Sequence, residues 1–219
     1  MYRFVGGVAP NRISRDEKVK RMTGKVRFLT LGPEASNHAL VTRRYLDFRG
    51  LGNASVIFID DFFKGLEMMS DGAADFMIQV AVHPDCTDVV AKVHFAHGIH
   101  IIDTFISPSK ELAILTRVDV MAPREIALQP ATKGYADISA WEKWVPETST
   151  SAVAQGLLSG AYESGITALE VFEQHPGKFR VDRIIGTVDD PWLVFGKRRV
   201  CGSGIVAWPD SPGAQQFGS

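Results

Sequence analysis

The sequence predicts an α/β protein built as two units in tandem with a cleft between them. Three observations carry this. Residues 26–82 read strand, helix, strand, helix, strand, the pattern of a parallel sheet covered by helices. A second series of short apolar strands and helices runs from 125 to 197. Each series contains a helix start rich in small polar side chains, Ser36-Asn37-His38 in the first and Thr148-Ser149-Thr150 in the second. A helix start exposes unpaired N–H groups and the positive end of the helix dipole, so it cradles anions.

The first unit opens on a strand at 26–31, whose Val26, Phe28 and Leu29 suit burial on both faces. Gly32-Pro33 breaks it, and Ser36 or Asn37 starts a helix that runs to 49. Val41, Tyr45 and Phe48 recur at helical spacing and mark one face. Gly50 and Gly52 stop the helix, and a β-branched strand follows at 54–59. Asp60 or Asp61 caps a second helix, with Phe62, Leu66 and Met69 on a shared face, and a third strand occupies 75–82. His83-Pro84 turns the chain, and a short helix fits 87–95. Strands at 99–106 and 111–117 read as an antiparallel pair near the crossover between lobes. The second unit reads as a strand at 125–129, a weak helix at 132–143, a helix closed by Gly160, a buried strand at 164–168, a short helix at 169–174, and strands at 179–185 and 192–197. This assigns 1–82 to lobe one, with room for part of 198–219 to return to it, and 83–197 to lobe two. Residues 1–24 read as a lead-in arm with a short strand at Tyr2–Val5, and the tail from Cys201 as irregular.

Composition narrows the partners. The chain has 219 residues, 24 basic against 25 acidic, and a formal net charge of -1, so no basic surplus pulls toward nucleic acid or anionic lipid. The expected partners are small molecules and a second copy of the chain. Cys86 and Cys201 lie far apart without a C-x-x-C spacing, which fits reduced thiols. The N-terminus carries charges where a signal peptide needs an apolar core, and no apolar run spans a bilayer, so the expected location is cytoplasmic.

The order of the pieces resembles prephenate dehydratase, over roughly residues 26–197. The family ends its first strand in Gly-Pro-Glu-Gly-Thr-Phe-Ser; here Gly32-Pro33-Glu34-Ala35-Ser36-Asn37-His38 stands in that place. The family's Val-Pro-x-x-Ser-Thr turn is similar to Val145-Pro146-Glu147-Thr148-Ser149-Thr150. Its later strands resemble Glu163–Ala168 and Pro191–Gly196. The resemblance implies a two-lobed fold like that of type 2 periplasmic binding proteins, each lobe a mostly parallel sheet flanked by helices. It also implies a homodimer, no regulatory ACT domain, and a lyase without metal or organic cofactor that acts on a small cyclic or unsaturated polycarboxylate. Pro191-Trp192-Leu193 replaces the family's Thr-Arg-Phe, and with the arginine goes a bidentate grip on a carboxylate. Plain dehydration, decarboxylation, a related isomerisation and carboxylate binding without turnover therefore all stay open.

Several residues carry candidate chemistry. Thr148, Ser149 and Thr150 either hold a carboxylate across the cleft or form a plain N-cap. Ser36 and Asn37 are candidate ligand donors, and His38 either moves a proton near neutral pH or is an exposed first-turn residue. Gln79 and His83 stand where the third strand leaves its sheet, which is where open α/β sheets bind ligands. Gln79 interrupts an apolar run and needs a polar partner, and His83 is an acid or base or a turn residue. Trp192 walls the cleft or packs in the core. The catalytic candidates are thus His38, His83 and Thr148. The binding candidates are Ser36, Asn37, Gln79, Ser149, Thr150 and Trp192. His94-x-x-His97-x-x-His100 fits a solvated loop better than a zinc site, because Gly98 breaks the segment. Asp189-Asp190 is an exposed turn or a carboxylate pair that shares a proton or binds a cation, and the doublets Arg43-Arg44 and Arg198-Arg199 are solvated by default.

Overall fold

The computed structural model describes residues 25–202, 204–208, 211 and 214. The expected strand at Tyr2–Val5 lies outside them. Ten strands form two five-stranded sheets. The first contains β1 (Arg27–Leu31), β2 (Ser55–Ile59), β3 (Phe76–Val80), β4 (His100–Pro108) and β10 (Asp189–Gly196), in the order β2-β1-β3-β10-β4. The second contains β5 (Leu112–Arg117), β6 (Glu125–Leu128), β7 (Lys143–Pro146), β8 (Ser164–Ala168) and β9 (Phe179–Gly186), in the order β7-β6-β8-β5-β9. In each sheet the first three strands run parallel, the fourth runs antiparallel to them, and the fifth, antiparallel to the fourth, runs in the direction of the first three, so the sheets are mixed.

The sheets divide the chain differently from a cut at residue 82. β4 and β10 belong to the first sheet, and the chain passes between lobes twice, at 109–111 and at 187–188. The expected antiparallel pair of 99–106 with 111–117 does not form. β4 pairs with β10, and β5 pairs with β8 and β9. A strand leaving one lobe finds its hydrogen-bond partners in a strand returning from the other, which no local pattern reveals.

Both faces of the first sheet are buried. Leu29 and Met77 pack under α2 (Phe62–Ser70) and α3 (Cys86–Ala96) with Phe62, Leu66, Met69, Val89 and Val93. Phe28 and Ile78, their strand neighbours, pack on the other face with Val41, Tyr45 and Leu46 of α1 (Asn37–Phe48). Period-2 alternation sends neighbours to opposite faces, which is why β1 and β3 read as continuous apolar runs. The apolar stripe of α1 is shorter than its spacing implies. Val41 and Tyr45 are buried, but Phe48 is 80% exposed, with the Arg49 guanidinium 5.4 Å from its ring.

The second sheet buries Ala113, Leu115, Ala127 and Phe179 beneath α4 (Thr150–Ser159) and α5 (Glu170–Gln174). Its other face carries Ile114, Ile126, Leu128 and Ile166 under Ala136, Ile138 and Trp141. Those three come from the segment expected as a weak helix at 132–143. It forms a 3-10 turn at Pro130–Thr132 and then irregular chain. Local bonds compete with the helix there: Gln129 Oε1 accepts the Ala131 N–H at 2.7 Å and Asp137 Oδ1 accepts the Ser139 N–H at 2.9 Å. Apolar side chains still cover the sheet, because burial needs contact rather than regular backbone.

Gly165 marks the closest approach in the second lobe. A Cβ there would run into Val153 Cγ1 of α4 and lie 3.1 Å from the Ala127 carbonyl oxygen of the adjacent strand. The sheet-facing side of α4 therefore rests directly on β8 backbone. Replacing Gly165 by alanine overpacks this contact and should cost about 1–3 kcal/mol, read as a lower urea midpoint at unchanged slope.

Candidate functional site

A cleft of about 1240 Å³ lies between the lobes. Ser36, Asn37, His38 and His83 line it from the first lobe; Thr148, Ser149 and Thr150 line it from the second. The two helix starts that the sequence singles out thus open on one space. Gln79 and Trp192 are not on its wall; both are fully buried behind it.

The α1 start is largely occupied by the protein itself. The Ser36 hydroxyl accepts the Ala39 N–H at 3.1 Å and donates to the Leu31 carbonyl at 3.0 Å, so it caps the helix and has no proton left for a ligand. Asn37 Oδ1 accepts the Lys110 N–H at 3.0 Å and ties α1 to the crossover. Lys110 Nζ in turn donates to the Ala35 carbonyl at 2.6 Å and to Glu170 Oε1 at 2.5 Å, bridging the lobes. Ser36 and Asn37 are therefore parts of the frame.

The N–H groups of Asn37 and His38 at the α1 start have no intrahelical partner, and the α4 start repeats this pattern with its hydroxyl protons uncommitted among the described residues. Ser149 Oγ accepts the Ala152 N–H at 3.0 Å, and the Ser149 carbonyl accepts the Val153 N–H at 3.1 Å. This leaves the N–H groups of Thr150 and Ser151 without an intrahelical partner, and both residues line the cleft. Thr148 is exposed at the rim, its N–H held by Glu147 Oε2 at 3.1 Å. An oxyanion at this tip would meet two N–H groups, the Ser149 and Thr148 hydroxyls, and the positive end of a ten-residue helix.

His38 sits among rings. Its centroid is 5.1 Å from Trp192, 5.7 Å from Phe62 and 6.2 Å from His83. Its Nε2 is shielded from solvent and has no partner among the described residues. Burial, with a smaller contribution from the nearby His83, lowers its pKa from 6.5 to about 3. The expectation that His38 moves protons near neutral pH is thus corrected. It stays neutral there and can act as a hydrogen-bond partner, while protonating it costs too much. His83 is half-buried, and burial lowers its pKa as well, against the Asp85 carboxylate that raises it. Its Nδ1 accepts the Asp85 N–H at 3.2 Å, which puts the proton of the neutral ring on Nε2. Trp192 packs with Phe28, Val41, Ile78 and Val194 and backs the His38 ring, so its role is support. Gln79 has no partner for either amide atom among the described residues.

Two lining groups lay outside the expected set. Asp190 is only 6% exposed, and its carboxyl is pushed above the ordinary range by burial and by Asp189. The Tyr135 hydroxyl is held protonated by burial and by the Asp190 charge. The Asp-Asp doublet was visible in the sequence, but an exposed turn and a buried strand position look alike there. The doublets Arg43-Arg44 and Arg198-Arg199 do not line the cleft. Arg43 pairs with Glu34, and Arg44 donates to the Pro108 carbonyl. His94 and His100 bring their Nδ1 atoms to 3.2 Å, and His97 Nδ1 lies 3.1 Å from the Ser70 hydroxyl. Among the described residues, no three His, Cys, Asp or Glu side chains come together as a metal would need.

This architecture defines the class: a two-lobed type 2 periplasmic-binding-protein-like fold with a cleft between the lobes. Solved structures place it there. The chain is similar to a prephenate dehydratase from Arthrobacter aurescens, solved in complex with L-Phe, at 21% identity and TM-score 0.59 over 87% of this chain and 70% of that one. It is similar to the prephenate dehydratase from Staphylococcus aureus at 12% identity and TM-score 0.52, over 80% and 67%. The periplasmic VFT2 domain of Bordetella pertussis BvgS matches at 14% identity and TM-score 0.50, over 86% and 87%. At these identities the likeness shows the fold. No family model and no curated protein matches the sequence.

His38 gives the fold a pH dependence of known sign. Its folded pKa lies below that of the unfolded chain, so between about pH 6.5 and pH 3 the unfolded state binds the extra proton and stability falls as pH falls. Urea unfolding should show a loss of about 2 kcal/mol between pH 7 and pH 5 from this residue. His38→Gln should flatten that slope; an unchanged slope would place the titration elsewhere.

Proposed function

We propose that the chain is a cofactor-independent lyase, prephenate dehydratase-like or prephenate decarboxylase-like, acting on a small cyclic or unsaturated carboxylate held in the cleft. The observation that carries this reading is the shared opening of the α4 start and of two neutral imidazoles onto one interlobe space. The N–H groups of Thr150 and Ser151, with the Ser149 hydroxyl, take the carboxylate. Expulsion of water or carbon dioxide then needs mainly a fixed geometry, a proton donor and a dry site. His83 Nε2–H and the Thr148 hydroxyl are donors toward a leaving oxygen. His38 contributes a neutral polar edge. The working unit in this reading is a cytoplasmic homodimer, an expectation that comes from the resemblance and from the balanced charge.

A second reading is binding without turnover. Among the described residues no arginine lines the cleft, which favours it. So does the replacement of the family's Thr-Arg-Phe by Pro191-Trp192-Leu193, of which Trp192 is core. Incubation with prephenate, followed by ultraviolet absorbance and mass spectrometry, separates the cases. Phenylpyruvate supports a dehydratase and a non-aromatic decarboxylated product a decarboxylase. Saturable binding with no product supports the second reading, and neither binding nor turnover removes prephenate as ligand. With turnover, His83→Gln should lower kcat by about 10²-fold or more.

A further inference from the structure

The wall of the cleft is acidic. Among the described residues, Asp60, Asp61, Asp85, Glu147 and Asp190 face a single cation, Lys64. Lys64 is already engaged, with Nζ 3.1 Å from Asp60 Oδ1. Two more of these carboxylates also have protein partners. Asp61 Oδ1 accepts the Phe63 N–H at 2.6 Å and caps α2. Glu147 accepts from the Tyr162 hydroxyl and the Thr148 N–H. Asp85 is 47% exposed and is met by water. Asp190 differs from all of them. It is more than nine-tenths buried, it opens on the cleft, and its side chain makes no hydrogen bond or ion pair among the described residues. A buried carboxylate with no partner is costly, and the cost is recovered only when a cation or donor arrives.

We infer that Asp190 is the seat of a ligand ammonium group, so that the molecule taken into the cleft is a zwitterion, an α-amino acid or its close analogue, with its carboxylate at the α4 start. This rests on the reading of the α4 start as a carboxylate site and names the other end of the same ligand. Two features favour an ammonium over the alternatives. A metal ion would find no cluster of three ligating side chains among the described residues, whereas an ammonium is satisfied by one carboxylate and neighbouring oxygens. A ligand carboxylate seated at Asp190 would meet that acid and four more, with the one lysine already paired, whereas an ammonium there is attracted. Position helps as well. Asp190 stands opposite Ser107 in the strand that has just crossed from the second lobe, so a ligand gripped there and at α4 touches both lobes at once.

The test is a binding panel by calorimetry on the full chain. It uses the common L-amino acids, then for each that binds the matching 2-oxo acid, with prephenate, phenylpyruvate and succinate as anions without an amine. The expected result is an amino acid bound at least about tenfold tighter than its 2-oxo acid, a 1.4 kcal/mol preference. Asp190→Asn should remove that preference, weakening the amino acid at least about tenfold while the 2-oxo acid stays within about twofold. The comparison within the unaltered protein needs no variant, and a thermal melt checks that Asp190→Asn is folded. Should 2-oxo acids or succinate bind as well as amino acids or better, Asp190 is not an ammonium seat, and the carboxylate site at α4 still stands. If no compound in either set binds, both the zwitterion and the carboxylate reading fall.

Discussion

The molecule depends on two chain crossings that lie side by side. The Ser109 N–H donates to the Val188 carbonyl at 2.8 Å, and the Val188 N–H donates to Ser109 Oγ at 3.0 Å. These bonds join the segment leaving the first lobe to the segment returning from the second. Each crossing then delivers an antiparallel strand into the sheet beyond it, β5 into one and β10 into the other. The lobes are therefore joined through two adjacent segments, and the cleft opens beside them. Lys110 reinforces the arrangement from within the crossing, with its ammonium between the Ala35 carbonyl and Glu170 and its own N–H on Asn37. At 16% exposure it is better shielded from water than a surface lysine, so this contact is screened less than an ordinary surface pair.

From that frame the chemistry of the cleft follows by burial more than by charge. The first lobe supplies imidazoles that a low-dielectric setting of Phe62 and Trp192 keeps neutral. The crossing supplies a carboxyl whose proton is held more tightly than usual. The second lobe supplies backbone N–H groups at a helix end, which favour an anion without a formal positive charge. Acidic side chains surround these groups.

Much of the fold was legible. Apolar, β-branched runs and turn residues placed each strand of the first lobe to within a few residues, and Ser36, Asp61 and Ser149 were identifiable as caps. The buried strand at Ser164–Ala168 is where the apolar run put it. The segment after Pro130 was misread because an apolar spacing can serve a covering loop as well as a helix. Among the site residues, His38, His83 and the α4 start do meet at one cleft. Gln79 and Trp192 were placed too far forward, since a strand end in sequence does not say which side of it faces the opening. Ser36 and Asn37 were given ligand roles that the protein itself fills with an N-cap and with Lys110.

What the chain sequence determined by itself was local: which stretches alternate, where helices begin, and that two such beginnings are rich in small polar side chains. Those follow from backbone propensity and capping, which act over a few residues. Only the tertiary structure decided that β4 and β10 share a sheet, that Asp190 is buried rather than exposed, and that His38 stays neutral near pH 7. Each of those is set by partners and dielectric supplied from distant parts of the chain, and no neighbour in sequence carries that information.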